Sequence, residues 1–307
     1  MTQPKRGMDW KRALSTSLFV VLVALLAWYV YENRADMARL LALSAGDVTL
    51  MLALALGGCA MQGLLQMAGI PYVGPHIAAS AVAMDKSLTK LVADQAGVPQ
   101  AAWQLVRAGE LENHMENTLD LLENRFRYPM FVKPANCGSS VGVSKAKNRD
   151  ELKSAIKLAF AHDSKVIVEE TIVGMECECA VMGNDEPFAS TVGEVCSAND
   201  EFYDFDAKYN DAASKTLIPA RMSEENIEEI RKTAVKAYRA MGCSGLSRVD
   251  FFLMKDGTVI LNEINTLPGH TPISMYPQLM QYEGMTPAQQ EDKLIKLALD
   301  KAEVDYE

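Results

Sequence analysis

Apolar residues crowd into two short runs, Arg248-Val249-Asp250-Phe251-Phe252-Leu253 and Thr258-Val259-Ile260-Leu261-Asn262-Glu263, with Lys255-Asp256-Gly257 between them. β-branched and aromatic residues on either side of an Asp-Gly turn predict a hairpin. Phe131-Val132-Lys133-Pro134 reads as a further short strand, and so does Val166-Ile167-Val168-Glu169-Glu170, which leads through Gly174 to Glu176. Helical spacing over Ala78–Ala96, Asp150–Ala161 and Glu224–Met241 alternates with these strands beyond Pro71. That order predicts an α/β or α+β architecture, not a repeat array.

The hairpin carries candidate chemistry. Glu263 and Asn265 are two apart and project to one face, and a hairpin centred on Asp256-Gly257 brings Asp250 beside them. Two carboxylates and an amide oxygen are hard ligands, suited to a Mg²⁺ that completes its shell with water and phosphate oxygens. The plainer alternative is an acidic, solvated hairpin edge. After the strand ending in Lys133-Pro134 comes Ala135-Asn136-Cys137-Gly138-Ser139-Ser140-Val141-Gly142-Val143, a small-residue loop able to bring backbone N–H groups close to phosphate. It is neither a Walker A loop nor a Rossmann G-x-G-x-x-G turn.

Several motifs occur together: MDKSLTK (Met84 to Lys90), FVKPANCGSSVGVSK (Phe131 to Lys145), VEETIVGMECE (Val168 to Glu178), YDFDAKY (Tyr203 to Tyr209) and SRVDFFL followed by LNEINTLPGHTPISMYP. From about Gln62 to the C-terminus, in this order, the chain resembles the D-alanine–D-alanine ligase family of ATP-grasp enzymes. The YDFDAKY loop is more similar to ligases that make peptides from D-amino acids, the D-serine type included, than to depsipeptide-forming D-lactate ligases. The resemblance implies an α+β ATP-grasp fold, ATP and Mg²⁺ (or Mn²⁺) as cofactors, D-alanine and D-serine as substrates, and a homodimer. It implies that Lys86 and Lys133 neutralise ATP phosphates under the Gly138–Val141 loop with Ser140, that Glu169, Glu170 and Ile172 line the adenine pocket, and that Glu176 binds the ribose. Asp250, Glu263 and Asn265 would hold magnesium, and Arg248 with the Gly269 N–H would meet the oxyanion of the tetrahedral intermediate. Ser139, Lys208 and Tyr209 would fasten a lid with its tip at Asn210–Ser214, and Ser274 and Met275 would receive the second substrate's carboxylate.

Each of these has a plainer reading. Lys86 and Lys90 fit equally well as surface lysines on the helix Ala78–Ala96, Tyr209 as a packed aromatic, and His270 as an incidental loop histidine. Cys177 and Cys179 share one strand face, the four histidines form no metal-ligand pattern, and all six cysteines read as reduced thiols.

The front of the chain departs from the family. The expected glutamate for the first D-alanine's amine and the H-G-x-x-G-E-D-G turn are absent before Gln62, where the chain runs Leu54-Ala55-Leu56-Gly57-Gly58-Cys59. Ala13–Tyr31 has no charged residue, follows Lys5, Arg6, Lys11 and Arg12, and ends in aromatic residues. At ~1.5 Å per residue it approaches ~30 Å of hydrocarbon and predicts a transmembrane helix with its N-terminus in the cytoplasm. Val48–Ile70 is also free of charge and predicts a second crossing, in competition with the ligase-like segment from Gln62. A junction near Gly57 is the alternative, since Lys11–Leu56 loosely resembles the opening of polytopic bacterial membrane proteins such as the lysylphosphatidylglycerol synthase type.

Length and charge set the frame. At 307 residues the chain divides into a membrane-like segment 1–56, a remnant of a ligase N-terminal lobe 57–98, a central subdomain 99–180 and a catalytic subdomain 181–307. A net charge of −10 argues against nucleic acid as a partner. Two functions follow: an ATP-dependent D-amino acid ligase on the cytoplasmic side of the inner membrane, in peptidoglycan synthesis, or a catalytically impaired, membrane-anchored ATP-binding protein.

Overall fold

Two antiparallel sheets carry the chain, and the alternation of side chains along their strands decides where charge collects. The computed structural model describes residues 60–111, 114–138, 141–196 and 215–306, all within the compact unit Cys59–Glu307. The expected transmembrane helix Ala13–Tyr31, residues Ser139, Ser140, Lys208 and Tyr209, and the lid tip lie outside the described residues. Among the described residues no helix is long and apolar enough to cross a membrane.

Residues 60–67 are helical, and they are tied into this unit. Gln62 Nε2 donates to Pro75 O at 3.5 Å, and Gln66 Oε1 accepts from Tyr72 Oη and from the Ile77 N–H, each at 3.2 Å. The helix gives way at Gly69, φ 65°. Of the second crossing expected over Val48–Ile70, residues 60–70 thus bond to the compact unit, and residues 48–59 lie outside the described residues.

Next come helices α1 (Ile77–Met84) and α2 (Lys86–Ala96). The single helix expected over Ala78–Ala96 is broken at Asp85, whose carboxylate caps α2 by accepting from Ser87 N at 3.0 Å and Leu88 N at 3.4 Å. Strand β1 (Trp103–Arg107), α3 (Met115–Arg125), β2 (Met130–Pro134), β3 (Ser144–Ala146), α4 (Arg149–Phe160) and β4 (Lys165–Glu170) complete the first layer, with sheet order β1-β4-β2-β3. Met130, Val132, Val166 and Val168 point to one face, where Leu119, Leu122, Leu152 and Ile156 of the two helices bury them. Alternation sends Phe131, Lys133, Ile167 and Glu169 to the other face.

The second sheet is β5 (Met175–Gly183), β6 (Phe188–Cys196), β7 (Lys215–Leu217), β8 (Gly245–Leu253) and β9 (Val259–Asn265), ordered β7-β6-β5-β8-β9. Helix α5 (Glu224–Ala240) packs Ile230, Ala234, Ala237 and Tyr238 onto Cys177, Cys179, Val249 and Phe251. Ala79, Ala93 and Val98 join this core, so residues 77–98 belong with the second sheet. On the opposite face Ala180, Met182 and Leu246 meet α6 (Met275–Tyr282) and α7 (Pro287–Tyr306) at one end. The chain changes sheets over Thr171–Gly174, so the division expected at residue 180 runs through β5, with the sheet change ahead of it.

Candidate active site

The other end of that face of the second sheet collects the polar positions of three adjacent strands. Glu178 lies opposite Asp250, Arg248 opposite Asn265, and Asp250 opposite Glu263. Arg248 and Asp250 are two apart on one face, and the guanidinium forks onto the carboxylate, Nε to Oδ1 at 2.8 Å and Nη2 to Oδ2 at 2.7 Å. Glu178 Oε2 lies 3.0 Å from the same Nε. Asn265 Nδ2 donates to Asp250 Oδ2 at 3.0 Å, which leaves the amide oxygen as its cation-binding group. Burial opposes the charge of Arg248, but Asp250, Glu178 and Glu263 outweigh it and raise the guanidinium pKa.

The turn behind this hairpin is the expected one. Gly257 has φ 85° and Asp256 Oδ1 accepts from Thr258 N at 3.0 Å, so an Asx-type bond closes the corner, and a bulge between Asp250 and Phe251 shifts the register by one residue and sets Asp250 against Glu263.

The lysines come from strand β2, which carries Lys133, and from helix α2, which carries Lys86 and Lys90. Lys133 Nζ is 2.6 Å from Glu169 Oε2 and Lys90 Nζ is 2.8 Å from Glu169 Oε1. Burial raises the Glu169 pKa, but Lys133 and Lys90 overrule it and hold the carboxyl at about 2. Lys86, at the start of α2, donates Nζ to Cys137 O at 2.6 Å, while its own N–H donates to Ala135 O at 2.9 Å. Helix and loop are thereby tied at two points. Desolvation lowers the Lys86 pKa, with Glu263 pulling it up and Lys133 pushing it further down. Lys86, Lys133, Glu169 and Glu263 thus share one electrostatic environment, which both sheets supply.

Other candidates are placed differently. Glu170 Oε1 accepts from the Ala102 N–H at 2.8 Å and Ile172 is half-buried. Glu176 stands on β5 opposite Phe252, on the same face as Glu178. Ser274 precedes α6, its Oγ 2.8 Å from Thr271 Oγ1 and 3.2 Å from the Thr271 N–H that donates to it. A Cβ on Gly269 would lie 2.8 Å from Ser274 Oγ, so only glycine lets the loop approach this helix start so closely. The Met275 side chain is packed in the core with Ala180, Leu246 and Tyr276, and its backbone stands at the start of α6. His270 lies 5.8 Å, ring to ring, from Tyr276.

Lys90 and Glu178 are the residues that sequence reasoning missed. Lys90 has the i, i+4 spacing to Lys86 that puts both on one helix face, but a lone lysine in such a pattern does not announce a buried partner. Among the described residues no three His, Cys, Asp or Glu side chains gather as a metal cage. A cation here would rest on Asp250, Glu263 and the Asn265 oxygen, a donor set that fits Mg²⁺ and suits neither zinc nor copper. The five described cysteines are free thiols; burial pushes Cys179 up to about 12.

Two antiparallel sheets, one carrying Lys133 and Glu169 and the other the hard oxygen donors, with Lys86 and Lys90 on α2, define a mixed α/β protein of the ATP-grasp class. The profile of the D-ala D-ala ligase C-terminus matches residues 92–296, and this chain belongs to the D-alanine–D-alanine ligase family. It is 52% identical over 242 residues to the D-alanine–D-alanine ligase of Acetivibrio thermocellus, covering 78% of this chain and 64% of that enzyme. With the D-alanine–D-alanine ligase of Geobacillus thermodenitrificans it shares 49% over 241 residues, 78% of this chain and 66% of the relative. The chain therefore spans just under two thirds of the length of these two curated relatives. Among solved structures, the VanG D-Ala:D-Ser ligase from Enterococcus faecalis superposes with a TM-score of 0.71 at 40% identity, covering 78% of this chain and 68% of that one. The D-alanine–D-alanine ligase from Coxiella burnetii gives 0.67 at 36% identity, with 80% and 66% covered.

Proposed function

We propose that this chain ligates two D-amino acids, D-alanine with D-alanine or D-serine, through an acyl phosphate in the supply of peptidoglycan precursors. The observation that carries the reading is the convergence of Lys86 from α2 with Lys133, Glu169 and Glu263 from two sheets beside the Arg248–Asp250–Asn265 fork. Bringing a carboxylate substrate to a polyphosphate requires cationic groups held in place before the anions meet, and the site has them. Lys86 and Lys133 take the phosphates; Glu169, Glu170 and Ile172 border the base, and Glu176 the ribose. Asp250, Glu263 and Asn265 hold Mg²⁺, which supplies charge neutralisation when bound. Arg248 and the Gly269 N–H receive the oxyanion, and Ser274 with the Met275 N–H the second substrate's carboxylate, at a helix start whose first N–H groups have no intrahelical acceptor. Ser139, Ser140, Lys208 and Tyr209 form the closing parts in the same proposal. Dependence on ATP puts the catalytic part on the cytoplasmic side of the membrane, and the homodimer of the sequence reading belongs to the proposal as well.

The test is ATP-dependent phosphate release by purified protein with and without D-alanine and D-serine. Release that needs a D-amino acid, and that Glu263→Gln abolishes or strongly impairs, is expected. Nucleotide binding with no release under any of these conditions would favour the impaired ATP-binding alternative, and an unimpaired Glu263→Gln would overturn the metal assignment.

A further inference from the structure

Glu169 is one carboxylate between two ammonium groups, and the two are not equivalent. Lys90 reaches Oε1 with a side chain only 6% exposed, whereas Lys133 reaches Oε2 with 18% exposed. Lys133 stands two residues before the loop that begins at Ala135, close enough to Lys86 for each to feel the other's charge. Lys90 sits one helical turn beyond Lys86 and faces inward beneath it. An arriving polyphosphate therefore competes with Glu169 for Lys133 and has no equal route to Lys90. Once Lys133 turns away, a desolvated carboxylate would stand alone beside an incoming anion, an arrangement penalised twice, by burial and by like charge.

We infer that Lys90 is a positioning residue for the nucleotide site: it keeps Glu169 compensated so that Lys133 is released to a phosphate at little cost. The inference rests on the nucleotide reading of this site given above. It treats the Lys90–Glu169–Lys133 row as an exchange device, with one fixed partner and one that changes hands. Lys90 itself touches no substrate; its effect passes through Glu169. A purely structural role for Lys90 predicts a loss on its removal that is indifferent to the charge of Glu169. The exchange device predicts a loss that disappears when that charge is removed.

The experiment is calorimetric titration of the full chain with a non-hydrolysable ATP analogue and Mg²⁺, for wild type, Lys90→Met, Lys90→Arg, Glu169→Gln and the double variant K90M/E169Q, with thermal unfolding alongside. Lys90→Met is expected to weaken binding by about tenfold, within the range that contacting charged groups show in double-mutant cycles. The KM for ATP should rise in step while kcat changes less. Lys90→Arg should bind within about twofold of wild type, and K90M/E169Q within about twofold of E169Q alone. Wild-type affinity in Lys90→Met, or a tenfold gap between K90M/E169Q and E169Q, would overturn the inference. The comparison within the E169Q background stands even where the single Lys90→Met variant fails to fold, since there both charges are removed together. A wild-type chain that binds no nucleotide would overturn the functional reading and this inference with it. Normal wild-type binding with an unaffected Lys90→Met would sink the inference alone.

Discussion

On the four-stranded sheet the buried Glu169 carboxylate lies between two lysines from different elements, whereas on the five-stranded sheet the buried Asp250 carboxylate is forked by Arg248 of its own strand and by an amide of the next. Lysine is a point charge on a flexible stem and can exchange partners. Arginine presents a planar fork that matches a carboxylate with two parallel bonds, and here its backbone is clamped within a sheet. The first seam is built for charge that must move when an anion enters. The second is built for charge that must stay where it is.

Asp250→Ala should have the largest effect, because it removes the shared acceptor of Arg248 and Asn265. Breaking a buried pair from one side costs about 3–5 kcal/mol, and the remaining Glu178 contact puts the expected loss near about 3 kcal/mol in urea denaturation. A loss under about 1 kcal/mol would show that the fork is not a brace and that the contrast between the seams fails.

Arg248→Lys keeps the charge and deletes the fork. Turnover in the phosphate-release assay should fall about 10²-fold, the scale of losing one preorganised donor, while nucleotide affinity stays within about twofold. Equal losses in affinity and turnover would mean that Arg248 serves ground-state binding and that the two seams share one task.

The smallest effect is one of acid stability. Glu169 is held at about 2 against an ordinary 4.5, so the folded state binds this proton less readily than the unfolded chain. A depressed carboxyl contributes its stability in full above about pH 4.5 and loses it as pH falls towards about 2. Thermal midpoints of wild type should therefore drop more steeply across that window than those of Glu169→Gln. Parallel curves would show that the lysine row adds nothing to stability linked to this proton.

Much of the site was legible because strand alternation and short turns are local. Asp256-Gly257 made the hairpin readable, and the two-residue spacing of Glu263 with Asn265 fixed their common face before any fold was known. What stayed hidden depends on distant partners. Nothing near Lys90 in sequence signals Glu169, because their contact arises from packing a helix against a strand of another layer. Asp85 likewise breaks an apparently continuous helix by capping the second half and pairing with Lys165 eighty residues on.

The sequence by itself determined the hairpin and the strands flanking its turn, the family and the kinds of ligand that its oxygen donors suit, since each of these follows from residue type and spacing along a few neighbours. Tertiary structure alone decided that Met275 belongs to the core, that residues 77–98 pack with the second sheet, and that one carboxylate is shared by two lysines. Burial and charge compensation are properties of what surrounds a side chain, and those surroundings come from parts of the chain that meet only on folding.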